Sequence, residues 1–213
     1  RRSQLRADLF AAAPSLAGAH ACARQALATE PKFYGSGVYA LYYRGRFPAY
    51  RALAGSEHPI YVGKADPATP SAKTPQQQQP RLARRINEHR KTIIKAENLD
   101  IEDFDYRALV IQSGFESVAE TYLIQLFQPV WNSETGICYG IGKHGDSATT
   151  RANKRSPWDT LHPGRSWAHG TAGIADAKPA AMILKEISAH LQAHPPYSSV
   201  EAILQQFLLD LVR

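Results

Sequence analysis

The stretch of sequence that decides the fold reads Arg-Leu-Ala-Arg-Arg-Ile-Asn-Glu-His-Arg-Lys-Thr-Ile-Ile from Arg81 to Ile94. Its apolar residues Leu82, Ile86 and Ile93 recur with the period of an amphipathic helix. Arg85 and His89 are four residues apart, so a helix places them on one face, one turn from each other. Arginine can contact two phosphate oxygens at once, and histidine can transfer a proton near pH 7. This face therefore suits phosphate chemistry, although a solvated basic helix face would show the same pattern.

The composition narrows the class of protein. The chain has 213 residues, of which 44% are hydrophobic, and this is enough for the core of one folded domain over residues 1–213. Its net charge of +6 favours a polyanion such as nucleic acid as the partner. Cys22 and Cys138 lack metal-ligand spacing and are too few for a disulfide framework. With no signal peptide at Arg1 and no apolar run of about 18 residues, we expect a cytoplasmic protein without a membrane span.

The first half of the chain predicts helices followed by strands. Residues 3–13 and the Ala-rich residues 16–28 predict two helices, which together form a helical arm over residues 1–32. The aromatic and β-branched runs at residues 36–43 and 59–64 predict two strands that pair antiparallel. Residues 65–80 are rich in Pro, Thr and Gln, and we expect a loop there with neither helix nor strand.

The second half adds one strand and three more helices. Residues 104–112 predict a strand, and residues 116–128 predict a helix that Pro129 ends. We therefore expect an α+β fold in which a small three-stranded antiparallel sheet is flanked by helices. Residues 133–170 predict a long basic loop region. Two further amphipathic helices are predicted at residues 178–193 and 198–212, and they must pack against the core or against a second subunit.

Four short motifs follow one another along these elements. They are Gly37-Val38-Tyr39, Tyr61-Val62-Gly63, Arg85 with His89, and Glu120 with Asn132. Each motif is weak alone, but their order and their positions on the predicted elements are jointly specific. Over residues 33–133 the set resembles the signature of the GIY-YIG nucleases. The connection between Tyr39 and Tyr61 is longer than is usual in that family.

The resemblance implies a catalytic set of Tyr39, Tyr61, Arg85, His89, Glu120 and Asn132. It also implies that Glu120 holds one Mg²⁺ per active site, for which Mn²⁺ can substitute. A single carboxylate with water and phosphate oxygens is a normal Mg²⁺ site, while the alternative for Glu120 is an ordinary surface carboxylate. Arg85 would neutralise phosphate charge, and Asn132 would brace the site.

The identity of the general base stays open between Tyr39 and His89. A phenolate at pH 7 costs about 4 kcal/mol unless a cation offsets it, whereas an imidazole needs no such help. Tyr61 either supports orientation in the site or is an ordinary strand aromatic.

Several cations are candidates for DNA contact. They are Lys64, just after the second predicted strand, and five residues of the long loop region: Lys143, Arg151, Lys154, Arg155 and Arg165. The Gln-rich residues 76–79 are a further candidate, because Gln can hydrogen-bond adenine. Residues 134–213 would then form an extension for DNA contact, for dimerisation or for both. The alternative is a solvated loop whose charge adds only nonspecific affinity.

The resemblance is closest to the compact type II restriction endonucleases of the family. It implies Mg²⁺-dependent, site-specific hydrolysis of double-stranded DNA at a short GC-rich palindrome, in a bacterial cytoplasm beside a cognate DNA methyltransferase. A palindrome and one site per chain imply a homodimer with two-fold symmetry. The alternatives are a homing or repair nuclease that nicks DNA as a monomer, and a non-catalytic basic DNA-binding protein.

Overall fold

The computed structural model describes residues 23–142, 154–169 and 174–212. The predicted helix at residues 3–13 and most of the one at 16–28 lie outside the described residues. The sheet has four antiparallel strands in the order β1-β4-β2-β3. The strands are β1 (Gln25–Ala26), β2 (Gly37–Tyr43), β3 (Tyr61–Ala65) and β4 (Phe104–Val110). The described helices are α1 (Pro75–Gln78), α2 (Arg81–Ile94), α3 (Glu116–Phe127), α4 (Pro157–Leu161), α5 (Ser166–His169), α6 (Ala180–Ala193) and α7 (Val200–Val212).

The α+β class and the antiparallel sheet flanked by helices are confirmed, with one strand more than predicted. The additional strand, β1, lies where the Ala-rich pattern predicted helix up to residue 28. Gln25 pairs with Tyr106 and Ala26 with Asp105, and the Leu27 amide donates to the Phe104 carbonyl at 2.9 Å. The free edge of β4 offers unpaired backbone groups, and pairing with them outweighs the high helix propensity of alanine.

A second correction concerns residues 65–80, which were predicted to contain no helix. The chain forms the short helix α1 there, capped by the side chain of Thr74. The amide of Gln78 is buried, accepts from the Ser36 amide at 3.0 Å and donates to the Ile111 carbonyl at 2.8 Å. Gln78 therefore ties this segment to the ends of β2 and β4, and its amide is not available to read a DNA base.

The two long helices of the core cover opposite faces of the sheet. Successive side chains of a strand point to opposite faces. Tyr39 and Leu41 accordingly lie in one core cluster with Leu82 and Ile86 of α2. Val38, Ala40 and Tyr42 cluster instead with residues of α3. The central strand β2 is thus buried on both faces, and α2 and α3 approach the sheet from opposite sides.

The edge strand β3 has its outer backbone groups occupied by residues around the end of α3. The Trp131 amide donates to the Ile60 carbonyl at 3.1 Å, and the side chain of Asn132 hydrogen-bonds Val62. The Lys64 amide lies close enough to the carboxylate of Glu120 to lower its pKa. An open sheet edge is otherwise prone to pair with another chain. Here these groups cover the outer edge of β3, so that residues from both faces of the sheet lie near each other at this edge.

The C-terminal helices answer a question that the sequence left open. Ile183, Ile187 and Leu191 of α6 join the core cluster on the α2 face, and Ile203 of α7 joins a cluster on the α3 face. Both helices therefore pack against the core of the same chain. The loop predicted over residues 133–170 contains the short helices α4 and α5 in its described part. No helix within the described ranges is long and apolar enough to cross a membrane.

Candidate active site

The centre of the site is a hydrogen bond between Tyr39 and His89. The phenol oxygen of Tyr39 lies 2.7 Å from Nε2 of His89, and the two side chains are 2% and 1% exposed. Tyr39 is in the middle of β2 on the face covered by α2, and His89 is on the side of α2 that meets it. The position of His89 on the inner side of α2 therefore places its imidazole next to the buried phenol of Tyr39.

Tyr61 completes an aromatic group around this bond. Its ring centroid lies 4.8 Å from that of His89 and 6.0 Å from that of Tyr39. The glycine of the second motif explains how two phenols converge, because a Cβ on Gly63 would lie 2.6 Å from the phenol oxygen of Tyr39. That distance is a collision, so Gly63 is the residue that leaves room for the Tyr39 hydroxyl.

The environment holds both phenols in their neutral form. Burial raises the pKa of Tyr39 well above its ordinary value of 10, and the neighbouring Tyr61 raises it further, while Arg85 lowers it. Burial also raises the pKa of Tyr61, again against the effect of Arg85. A phenolate at Tyr39 therefore cannot be the resting state, and His89 is within reach of its proton.

Arg85 brings a permanent positive charge to the mouth of this group. Its side chain is 31% exposed and its Nη1 lies 2.6 Å from a carboxylate oxygen of Glu88. Burial lowers its pKa, but Tyr39, Glu88 and Tyr61 outweigh burial and raise it above the ordinary value. Arg85 is one turn before His89, so a charged guanidinium borders solvent on one side and the buried phenols on the other.

Glu120 reaches the same place from the opposite face of the sheet. Its carboxylate lies near the amide of Lys64 at the edge of β3, and its negative charge raises the pKa of Tyr61. Burial raises the pKa of Glu120, Glu134 and Asp66 raise it further, and Lys64 lowers it. The raised pKa marks a carboxylate whose negative charge the protein does not fully offset.

This environment fits a divalent cation. In the described part of the chain, no three His, Cys, Asp or Glu residues are placed to hold one metal together. Glu120 also lines an open cleft with Gln125, Gln128 and Glu134. One carboxylate facing such a cleft suits Mg²⁺, which keeps several of its waters, better than a metal that needs a full protein cage.

Asn132 acts on the backbone of β3. Its Oδ1 accepts from the Val62 amide at 2.9 Å, and its Nδ2 donates to the Val62 carbonyl at 2.8 Å. The side chain is 4% exposed. With both ends of its amide engaged, Asn132 fixes the strand segment that carries Tyr61 and Gly63, as expected of a bracing residue.

The candidate DNA-contacting cations differ in their surroundings. Lys64 forms an ion pair with Asp66, with its Nζ 2.5 Å and 2.7 Å from the two carboxylate oxygens. Lys154 is exposed, and Arg155 is half-buried with an ion pair to Asp176 at 3.0 Å. Lys143 and Arg151 lie outside the described residues.

Arg165 needs a correction as a DNA contact. It is 4% exposed, and its guanidinium forms a bidentate ion pair with the fully buried Asp159. Its donors point into the protein because Asp159 and backbone carbonyls occupy them. Asp159 is only six residues before Arg165, but the carbonyls of Gly140 and Ile141 that Arg165 also binds come from a distant segment that the sequence does not connect to it.

Two residues near the site were not singled out by the sequence. Glu134 adds negative charge beside Glu120 and Tyr61. Gly142 approaches α2 closely, since a Cβ on it would lie 3.1 Å from Nη2 of Arg85 and 3.9 Å from Cε1 of His89. The glycine-rich sequence around residue 142 signals a close approach of the backbone, but it does not say to what.

Two tyrosines on adjacent antiparallel strands, an arginine and histidine on the next helix, and a glutamate on the following helix define the GIY-YIG nuclease class. A family model described as the Eco29kI GIY-YIG domain matches residues 31–191. The chain therefore belongs to the Eco29kI GIY-YIG domain family, a family of restriction-endonuclease-like GIY-YIG nucleases. A comparison with curated proteins found no match. The family match runs past the predicted core of residues 33–133 and takes in α4, α5 and most of α6.

Proposed function

We propose that this protein is a type II restriction endonuclease that hydrolyses double-stranded DNA at a specific short site with the help of Mg²⁺. The observation that carries the proposal is the grouping of Tyr39, His89, Tyr61 and Arg85 around one buried hydrogen bond, with Glu120 near enough to act electrostatically on Tyr61. Hydrolysis of a phosphodiester needs a proton acceptor, positive charge on the phosphate and stabilisation of the leaving alkoxide. In this proposal the five side chains provide groups for all three tasks.

The proton path follows from the Tyr39–His89 hydrogen bond. The neutral phenol of Tyr39 donates its proton to Nε2 of His89 while its oxygen accepts a proton from the attacking water. The water oxygen forms the new bond to phosphorus, and the bond to the leaving sugar oxygen breaks. His89 therefore acts as the terminal base and Tyr39 as the group that contacts water. The raised pKa of Tyr39 supports this assignment, because burial opposes a preformed phenolate.

The charges are divided between the two sides of β3. Arg85 contacts a non-bridging oxygen of the scissile phosphate, where its planar guanidinium can donate twice. Glu120 would hold Mg²⁺, and the ion, when bound, supplies positive charge next to the leaving oxygen. Tyr61 orients the phosphate between these groups, and Asn132 keeps the strand in register.

The specificity and assembly follow the same proposal. Each chain provides one such site, so cutting both strands requires two chains, and a two-fold symmetric dimer requires a palindromic target. By resemblance to the compact type II restriction endonucleases, the target would be a short GC-rich palindrome, and a cognate methyltransferase would protect the host DNA. Lys154 and Arg155 lie in a basic segment at the surface of the described chain and are retained as DNA contacts.

The test is cleavage of a supercoiled plasmid by the purified protein with and without Mg²⁺. A restriction endonuclease gives discrete linear fragments. Accumulation of only nicked circles would instead favour a monomeric nicking nuclease, and a gel shift without cleavage would favour a non-catalytic binder.

The residue-level test replaces Glu120 by glutamine. Glu120→Gln should abolish cleavage and keep DNA binding, while the matched Glu97→Gln change at an exposed glutamate should cut like the wild type. Full activity of Glu120→Gln would remove this residue from the site.

A further inference from the structure

The backbone at Gly142 lies very close to the guanidinium of Arg85, the proposed catalytic arginine. A Cβ on Gly142 would lie 3.1 Å from Nη2 of Arg85, which is closer than an ordinary van der Waals contact. Gly142 is not among the glycines with positive φ, so an alanine could adopt its backbone conformation. What glycine provides at this position is therefore space beside the guanidinium.

The two residues before Gly142 are hydrogen-bonded to a buried arginine. Arg165 donates from Nη2 to the Gly140 carbonyl at 2.9 Å and from Nη1 to the Ile141 carbonyl at 3.1 Å. Its Nε and Nη2 also donate to the two carboxylate oxygens of Asp159, at 2.6 Å and 2.8 Å. One guanidinium thus connects the residues just before Gly142 to the helix α4.

The contact between this segment and α4 is also tight. Gly140 has φ +114°, and a Cβ on it would lie 2.3 Å from Oγ of Ser156. Ser156 is the N-cap of α4 and donates to the carboxylate of Asp159 at 2.5 Å. Residues 140–142 therefore lie between a buried polar cluster on one side and Arg85 on the other.

A stability role alone explains this cluster poorly. A buried ion pair often contributes little net stability, because the cost of removing two charges from water offsets their attraction. Arg165 and Asp159 are 4% and 0% exposed, and Arg165 also lies over the rings of Trp158 and Trp167. A rigid pair whose remaining donors point to the carbonyls beside the active site is suited to fixing a position.

We propose that Arg165 and Asp159 hold residues 140–142 against the active site, and that Gly142 is a positioning residue for Arg85. The absence of a side chain at residue 142 leaves the guanidinium free to meet the scissile phosphate. The inference rests on the proposed function, because it assigns Arg85 to the phosphate.

The first test is the series Gly142→Ala and Gly142→Val. An added methyl group must push the guanidinium by a few tenths of an ångström, and a misplacement of about 1 Å can cost about 10²-fold in rate. We expect kcat to fall about 3- to 10-fold for alanine and about 10²-fold for valine, with KM for DNA nearly unchanged. The melting temperature of Gly142→Ala should not fall, since its backbone conformation accepts alanine.

The control is Gly55→Ala, which should show the opposite pattern. Gly55 has φ +77° and no atom within 4 Å of a built Cβ, so the change strains the backbone without touching the site. We expect a lower melting temperature and an unchanged kcat. If the kcat of the Gly142 variants falls only in proportion to a loss of folded protein, the role of Gly142 is structural and the proposal is wrong.

The second test removes the buried pair as a whole. The double variant Asp159→Leu with Arg165→Met replaces two buried charges by apolar side chains, which proteins often tolerate without loss of stability. We expect a folded protein with reduced kcat, because the carbonyls of Gly140 and Ile141 lose their donor. Wild-type kcat in a folded double variant would overturn the positioning role, and the Gly142 series decides the matter if the double variant does not fold.

A readout independent of cleavage separates this inference from the proposed function. The Nε–H resonance of Arg85, assigned with Arg85→Lys, should shift in Gly142→Ala. If the wild type cuts DNA and Gly142→Val cuts equally fast, the inference fails and the function stands. If the wild type cuts no DNA, the function fails, and an unchanged Arg85 resonance would overturn the inference as well.

Discussion

Replacing Tyr39 by phenylalanine removes one oxygen atom from the centre of the site and leaves the ring in place. That oxygen lies 2.7 Å from Nε2 of His89, and it is the atom that passes a proton from water to the imidazole in the proposed path. Positioned proton transfer contributes about 10²- to 10⁴-fold in rate. At 1.36 kcal/mol per tenfold, the expected loss is about 3–5 kcal/mol of transition-state stabilisation. The lost buried hydrogen bond should also lower the unfolding free energy by about 1–3 kcal/mol.

The assay is single-turnover cleavage of a plasmid that carries the target site, because it isolates the chemical step from product release. Tyr106→Phe is the matched control. Tyr106 is also a buried tyrosine, and its hydroxyl donates to Gln25 at 2.6 Å, away from His89. The control should lose comparable stability and keep its cleavage rate.

The decisive comparison is a double-mutant cycle with His89→Leu. If phenol and imidazole form one relay, removing either breaks it, and the double variant should be about as slow as the slower single variant. Rate losses that multiply in the double variant would show that the two groups act independently, and the relay would be refuted.

Four further predictions concern the groups at the edge of β3 and the buried amide of Gln78. Asn132→Leu removes both hydrogen bonds to Val62, so the melting temperature should fall, and kcat should fall more than the affinity for DNA. Thermal melts, cleavage assays and gel shifts measure these three quantities. A normal kcat would contradict the bracing role. Mg²⁺ at ten times its Kd should raise the unfolding free energy by about 1.4 kcal/mol and the melting temperature by about 3–6 °C in the wild type, but not in Glu120→Gln. Burial raises the pKa of Glu120 in the folded state, so the folded protein binds a proton more tightly at this residue than the unfolded chain does. Without Mg²⁺, the unfolding free energy should therefore fall as the pH rises from the ordinary pKa of a glutamate through the raised pKa. Thermal melts across this pH range should show the fall in the wild type and not in Glu120→Gln. Gln78→Leu leaves the Ser36 amide and the Ile111 carbonyl without their partner and should lower the melting temperature, whereas Gln76→Leu at an exposed neighbour should not.

Local patterns predict much of this fold because the elements that carry the site are strongly periodic. The apolar spacing of residues 81–94 predicts α2 with the bounds that the structure gives, and the aromatic run ending at Tyr43 predicts β2. The site candidates could be named for a related reason. Gly63 and Tyr39 are linked by a contact that only glycine permits, so the motif records a physical constraint that can be recognised in the sequence.

The remaining features depend on contacts between distant parts of the chain. The strand Gln25–Ala26 has only two residues, and its pairing with β4 overrides the local preference of an Ala-rich segment. Gln78 and Arg165 belong to residue types that are usually exposed, and they are buried here because each finds backbone partners in a distant part of the chain, Gln78 at Ile111 and Arg165 at Gly140 and Ile141. The acid that pairs with Arg165 is only six residues away, but the residue types alone assigned both Gln78 and Arg165 to DNA contact.

The position of the site at the edge of β3 explains how it can combine side chains from both faces of the sheet. Asn132 hydrogen-bonds the main chain of the strand at Val62, and Glu120 lies near the main-chain amide of Lys64. Alternate residues of a strand direct their backbone groups to the same edge, so the amides two residues apart face outward together. A register slip of one residue would turn Tyr61 to the other face and the Lys64 amide inward, and both halves of the site would be lost at once. The distance between the carboxylate and the phenols is therefore set by backbone geometry, and substitutions at Val62 or Lys64 that keep the register should disturb it far less than loss of Asn132.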